Sequence, residues 1–315
     1  MKQYLDLLQK VLDEGTLKPP ADDRQCGTIG ITRAEMTFDI DRDGFPLLTT
    51  KKMFWKGIVE ELLWIMNGDT NIKYLVDNGV NIWNDDAYRW YLKHTDGVNF
   101  LLQDEFISII KDNDSFTFFD THHITVPDEN YTIGDLGNSY GHRWRELNGV
   151  DQLFELLASL IYEPFTRRHI IDAWNPQANK DTALPPCHMV YQFVVREVEG
   201  QKYLDMVMYQ RSCDVFLGVP FNIASMCLFQ MIIAKCVGMH VGTSTWLGTE
   251  VHIYTDHLPA VTEQLSRTPK DMRPVVEILK DIRSIKDIES LTIDDFILSN
   301  YYPFPAIKAE LTKRK

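Results

Sequence analysis

Cys187 stands directly after Pro185 and Pro186 in the segment ALPPCHMVYQF, and QRSCDVFLGVPFN holds Arg211, Ser212, Asp214 and Asn222 within thirteen residues. A cysteine attacks as its thiolate, which nearby positive charge stabilises. Arg211 supplies that charge if its strand lies beside the strand that begins at His188. The competing reading is a buried apolar filler, a common fate of cysteines. Asn222 carries a carboxamide, which offers a donor and an acceptor together and could read the edge of a base. In the first turn of a helix it could equally be only a cap.

Other residues could join them. Arg167 and Arg168 are adjacent at a strand start, and Arg24 lies in a turn-rich loop. Paired guanidinium groups suit phosphate because each is a planar fork of donors, although an Arg-Arg pair is also common on a solvated edge. Glu61 follows Glu60 on the otherwise apolar segment FWKGIVEELLWIMNG. If Glu61 is desolvated its pKa rises toward proton-transfer work. Glu60 is then expected to be the solvated one; in the alternative both face water. His252 and Tyr254 alternate along one strand and so share a face. Asp120, His122 and His123 lack a further ligand in a suitable context, so no metal is expected.

The elements that must position these groups follow from periodicity and turn residues. Residues 2–14 read as an amphipathic helix ended by Gly15, 18–30 as a loop, and 34–40 as a strand. Residues 54–68 and 150–162 read as helices. Residues 168–174, 188–197 and 203–210 read as consecutive strands of a largely buried sheet. PFNIASMCLFQMIIAKCVG reads as a core helix with Pro220 in its first turn, too short and too interrupted by polar groups to span a membrane. STWLGTEVHIY is a strand, a helix follows over about 254–266, and PVVEIL is a short strand. Residues 91–131 are polar and irregular and are expected to be a surface insertion. The expectation is one α+β domain over 1–315, built on a large mixed sheet flanked by helices.

Composition narrows the class. Hydrophobic content of 44% and charged content of 24% are ordinary for a chain with a core. A net charge of −13 argues against a general nucleic-acid binder. The five cysteines, an odd number without tight spacing, argue against a disulfide framework or a zinc site. The N-terminal segment has no long apolar core or small-residue cleavage site, so a cytoplasmic protein is expected.

Through nearly all of the chain except 91–131, these motifs resemble the thymidylate synthase family. The resemblance implies that Cys187 attacks carbon 6 of deoxyuridylate (dUMP), with 5,10-methylenetetrahydrofolate as co-substrate. It implies phosphate binding by Arg24 and Arg211 together with Arg167 and Arg168 of a partner subunit. A homodimer follows, with its sheets packed face to face. Gln210 and Ser212 join the nucleotide site, and Asn222 pairs with N3–H and O4 of uracil, where a carboxylate would suit cytosine. His252 and Tyr254 take the 3′-hydroxyl. Glu61, in EELLW, organises protons at O4, and Tyr140 serves removal of the carbon 5 proton; alone it reads as a core or turn tyrosine. His188 packs beside the nucleophile. Asp214, Leu217, Gly218 and Phe221 form the folate wall, with Ile82 and Trp83 on the other side.

Four features depart from the family pattern. The phosphate loop reads RQCGTIG and is one residue shorter than usual. Thr249-Glu250 replaces Gly-Asp. Asp86 stands where a second tryptophan is expected. The C-terminus, AELTKRK, is longer than usual and cationic. They keep open a rival, dUMP hydroxymethylase, in which water rather than hydride completes the reaction. A catalytically dead nucleotide- or RNA-binding relative is the alternative of another class.

Overall fold

The alternating and apolar stretches between residues 16 and 254 pair into one mixed sheet of seven strands, flanked by helices. The computed structural model describes residues 2–21, 24–95, 100–112, 131–310 and 312. In chain order the elements used below are α1 (Lys2–Glu14), β1 (Thr16–Lys18), β2 (Thr28–Asp39), α2 (Trp55–Met66), α3 (Asn84–Lys93), α4 (Gln103–Asp112), α5 (Tyr140–Arg145) and α6 (Gln152–Tyr162). There follow β3 (Ile170–Asp172), β4 (His188–Val198), β5 (Gln201–Gln210), β6 (Cys213–Asp214), α7 (Gly218–Val237), β7 (His240–Tyr254), α8 (Leu258–Ser266), β8 (Val275–Ile278) and β9 (Phe296–Ser299).

The chain divides into two compact units. The first gathers Met1–Ile58, Leu156–Ile171 and Cys187–Lys315; the second gathers Val59–Glu155 and Asp172–Pro186. In the first, strand order is β1-β2-β7-β5-β4-β3, with β6 also beside β7. β2 runs antiparallel to β7, β4 antiparallel to β5, and β5 parallel to β7. A parallel pair needs a crossover, and α7 supplies it. Its Ile223, Leu228, Phe229, Ile232 and Ile233 are fully buried. At 20 residues α7 is long and apolar enough to cross a membrane, against the sequence expectation, but 72% of its most apolar window is buried inside the protein. That burial marks a core helix.

Some boundaries differ from the sequence reading. The loop expected over 18–30 is shorter, because Thr16–Lys18 pairs with Thr28–Gly30 as a ladder. Strands β2 and β7 start earlier than their alternation indicates, since Thr28–Ile31 pairs with Val251–Tyr254 of β7, while His240 and Val241 pair with Tyr203 and Leu204 of β5. Strands β8 and β9 form a separate two-stranded sheet, so there are two sheets rather than one. In the second unit, part of the stretch expected to be irregular is regular. Helix α4 buries Phe106 against the rings of Tyr88 and Tyr91, at 5.6 and 5.1 Å between centroids. The remaining polar core of that stretch, with Asp120, His122 and His123, lies outside the described residues.

Candidate active site

Strand register builds the first cluster. His188 pairs with Gln210 across β4 and β5, and the Arg211 N–H donates to the Cys187 carbonyl at 2.9 Å. The backbone of Arg211 is thus fixed beside that of the half-buried Cys187, as the sequence reading required. Cys213 is fully buried, and burial, then the neighbouring Cys187, pushes its thiol far up the scale, while Arg211 opposes. Two thiols close together therefore have different settings: Cys213 is sealed off and inert, whereas Cys187 is half-buried with the backbone of Arg211 beside it.

His188 is not merely packed. Burial pulls its imidazole down to about 4, while a side-chain hydrogen bond with Asn222 opposes the fall. The Tyr191 hydroxyl lies 3.0 Å from His188 Nδ1. A neutral imidazole has one donor and one acceptor nitrogen, so Tyr191 and Asn222 take those two roles. The Asn222 carboxamide is therefore oriented by a side chain rather than left as a simple cap.

Asp214 turns the chain into α7. Its Oδ1 accepts from the N–H groups of Phe216 and Leu217, at 3.0 and 3.2 Å. Gly218 keeps the surface beside it open: a Cβ there would meet only Asp214 Cβ at 3.7 Å and Asn222 Nδ2 at 3.9 Å. Leu217 and Phe221 beside it are half-buried. Lys51, which no sequence signal singled out, supports it from behind. It is buried, donates to the Phe216 carbonyl at 2.6 Å, and is held down to about 7 by burial against the pull of Asp214.

β7 continues the cluster, since Asp214 pairs with His252. His252 Nδ1 donates to the Glu250 carbonyl at 2.7 Å, and its ring meets Tyr254 edge-on at 5.0 Å. The guanidinium of Arg24 lies 5.4 Å from the Tyr254 ring, and its Nη1 donates to the Thr312 carbonyl at 2.7 Å. Gln210 is committed internally: Trp246 donates to its Oε1 at 2.8 Å and its Nε2 donates to the Ser212 carbonyl at 2.9 Å. Arg167 and Arg168 are exposed just ahead of β3, with Arg168 3.7 Å from Glu163.

The second unit holds the other candidates on helices. Trp83 Nε1 donates to Glu61 Oε1 at 2.8 Å, and the Trp83 ring meets Tyr140 edge-on at 6.1 Å. Desolvation lifts the Glu61 carboxyl to about 7, with the Trp83 hydrogen bond pulling the other way. Glu60 corrects the sequence reading. It is not solvated but 1% exposed, and the Tyr74 hydroxyl donates to its Oε2 at 2.5 Å. Tyr140 opens α5 and is buried. Ile82 is 43% exposed, and Asp86 is ion-paired with Arg89. This cluster holds a carboxyl that can exchange a proton near neutrality, and the first holds a half-buried thiol whose backbone is bonded to that of Arg211.

A family model described as thymidylate synthase matches residues 2–313. The thymidylate synthase of Mycoplasma pneumoniae is 44% identical over 313 residues, covering 99% of both chains. That of Phytoplasma mali is 40% identical over 308 residues, covering 98% of each. That of Listeria monocytogenes serotype 4b is 40% identical over 324 residues, covering 99% of this chain and all of the other. Because the likeness takes in the strand-built thiol cluster and the helix-built carboxyl cluster alike, the chain belongs to the thymidylate synthase family.

Proposed function

We infer that the chain catalyses reductive methylation of dUMP to thymidylate (dTMP), with 5,10-methylenetetrahydrofolate as co-substrate. The observation that carries this reading is the register placing Arg211 against Cys187. Cys187 adds to carbon 6 of the ring, which makes carbon 5 nucleophilic. The folate supplies the one-carbon unit and the hydride that reduces it, and leaves as dihydrofolate. Asn222, held by His188, reads N3–H and O4. Arg24 and Arg211 bind the phosphate, with Gln210 and Ser212 shaping that site. His252 and Tyr254 take the 3′-hydroxyl. Asp214 faces the pterin, with Leu217, Gly218, Phe221, Ile82 and Trp83 as its walls. Tyr140 and Glu61 move the protons at carbon 5 and O4.

The site is completed by a second copy of the chain, with Arg167 and Arg168 reaching the partner's phosphate. Around them Ile161, Tyr162, Phe165, Ile170, Val194 and Val198 are between 42% and 82% exposed. Apolar groups in such number beside two cations support an interface core with a charged edge. All five cysteines are thiols, which supports a reducing, cytoplasmic setting. The family match across 2–313 supports one functional domain.

Three assays test this. Cys187→Ser should lower turnover by about 10⁴-fold or more while dUMP affinity changes only a few-fold. Product mass and dihydrofolate absorbance together distinguish methylation from hydroxymethylation. Mixing Cys187→Ser chains with Arg167→Glu/Arg168→Glu chains should restore activity that neither has alone. Restoration failing in proven mixed dimers would remove the shared phosphate site.

A further inference from the structure

Among the described residues, Arg143 is a buried cation without a counter-charge in contact. It lies three residues after Tyr140 on α5, so the two side chains share a face. The residue is fully buried. Its Nε donates to the Asn138 carbonyl at 2.6 Å, and its Nη1 donates to the Ala173 carbonyl at 2.7 Å and to Asn179 Oδ1 at 2.8 Å. All three partners are uncharged. Nη2 is buried and has no hydrogen-bond partner among the described residues.

Such an arrangement is costly. A buried guanidinium stays protonated, and a buried charge is normally paired. The groups in electrostatic reach of it are the phenol of Tyr140 and the carboxylate of Asp172. Asp172 is a weak counter-ion, because it is exposed and its Oδ1 already accepts from the Trp174 N–H at 2.8 Å. Among the described residues, Glu61 is joined to Tyr140 through Trp83, His142 and Arg145 lie on the same helix, and the backbone of Asp69 packs on Gly141. The field of Arg143 therefore falls on an oxygen that is neutral at rest and becomes negative only if it gives up its proton. A simple clamp would need the hydrogen bonds to Asn138, Ala173 and Asn179 but not the positive charge.

We propose that Arg143 is a positioning residue for proton removal: its buried charge stabilises the anionic form of Tyr140, so that the phenol oxygen can take the carbon 5 proton of the bound nucleotide. The phenol of Tyr140 first gives its own proton to solvent; the carbon 5–hydrogen bond then breaks, its electron pair stays in the pyrimidine ring, and the proton passes to the phenolate oxygen. This rests on the role given above to Tyr140.

The test is the pH dependence of tritium release from [5-³H]dUMP in the presence of methylenetetrahydrofolate. Arg143→Gln should release tritium about tenfold more slowly at pH 7, with its acidic limb moved up by about one unit, so that the deficit closes at higher pH. Arg143→Lys keeps the charge and should keep the limb in place. An unmoved limb in Arg143→Gln, or an equal displacement in Arg143→Lys, overturns the proposal in favour of a clamp. Should Arg143→Gln not fold, the limb of Arg143→Lys decides alone. Tyr140→Phe separates the two readings. Release at the native rate there removes the role of Tyr140 itself, whereas loss of release with an unmoved limb in Arg143→Gln removes only that of Arg143.

Discussion

The Cys187 cluster is built on strand register, the Glu61 cluster on helix side chains, and burial drives His188 in the first and Glu61 in the second in opposite directions. His188 is a base held neutral, down to about 4. Glu61 is an acid held protonated, up to about 7. In both, desolvation is the larger cause and one hydrogen bond opposes it, from Asn222 in the first and from Trp83 in the second. The contrast is between an imidazole moved out of its usual titration range and a carboxyl moved up to neutrality. General acid–base work is most efficient with a pKa near the working pH, a condition that Glu61 meets and His188 does not.

The most damaging way to break the contrast is to remove the proton exchanger. Glu61→Gln should lower kcat by about 10²- to 10³-fold and erase an inflection near pH 7 from the rate profile. Steady-state kinetics across pH 5 to 9 check this. An inflection that persists in the variant would assign it elsewhere.

Stability against pH sharpens the same contrast. His188 has a lowered folded pKa, so the unfolded chain binds its proton first, and stability falls as pH drops from about 6.5 to 4. Glu61 has a raised folded pKa, so the fold keeps a proton that the unfolded chain sheds, and stability falls as pH rises from about 4.5 to 7. Each contributes at most about 3 kcal/mol, and between pH 4.5 and 6.5 they offset. Glu61→Gln should therefore be more stable than the native chain at pH 8 by up to about 3 kcal/mol, and no more stable at pH 4. Urea unfolding at the two pH values reads this directly.

The smallest effect is expected at the donor that moderates the acid. Trp83→Phe keeps the ring but loses the N–H aimed at Glu61 at 2.8 Å. The Glu61 inflection should move above 7, and turnover at pH 7 should fall only a few-fold. An inflection moving down would mean that the ring, rather than its N–H, sets the carboxyl.

Much of the strand-built cluster was legible in sequence, because a period of two fixes faces and neighbouring strands follow one another in the chain. His188 and Arg211 could be put side by side before any coordinate existed. The helix-built cluster was legible in type but not in detail. Glu60 and Glu61 both adjoin the apolar stripe of α2, and periodicity alone does not say which carboxylate meets a partner. The hydroxyl that satisfies Glu60 comes from Tyr74, fourteen positions on. Lys51 gave no signal, since its burial depends on the Phe216 carbonyl, 165 positions away. Nor could the loop sequence around Arg24 reveal its bond to the Thr312 carbonyl, 288 positions away. Arg143 was invisible because a buried, unpaired cation is what composition rules teach a reader not to expect.

One consequence of the sheet concerns synthesis rather than catalysis. The longest ladder joins Thr28–Asp39 to Thr243–Tyr254. At about 5–20 residues per second on a ribosome, the early strand waits on the order of ten seconds or more for its mate to be translated. Until then its hydrogen-bonding edge is bare, so the nascent polypeptide should engage a chaperone early, and a translational pause after β7 would do less harm than one before it.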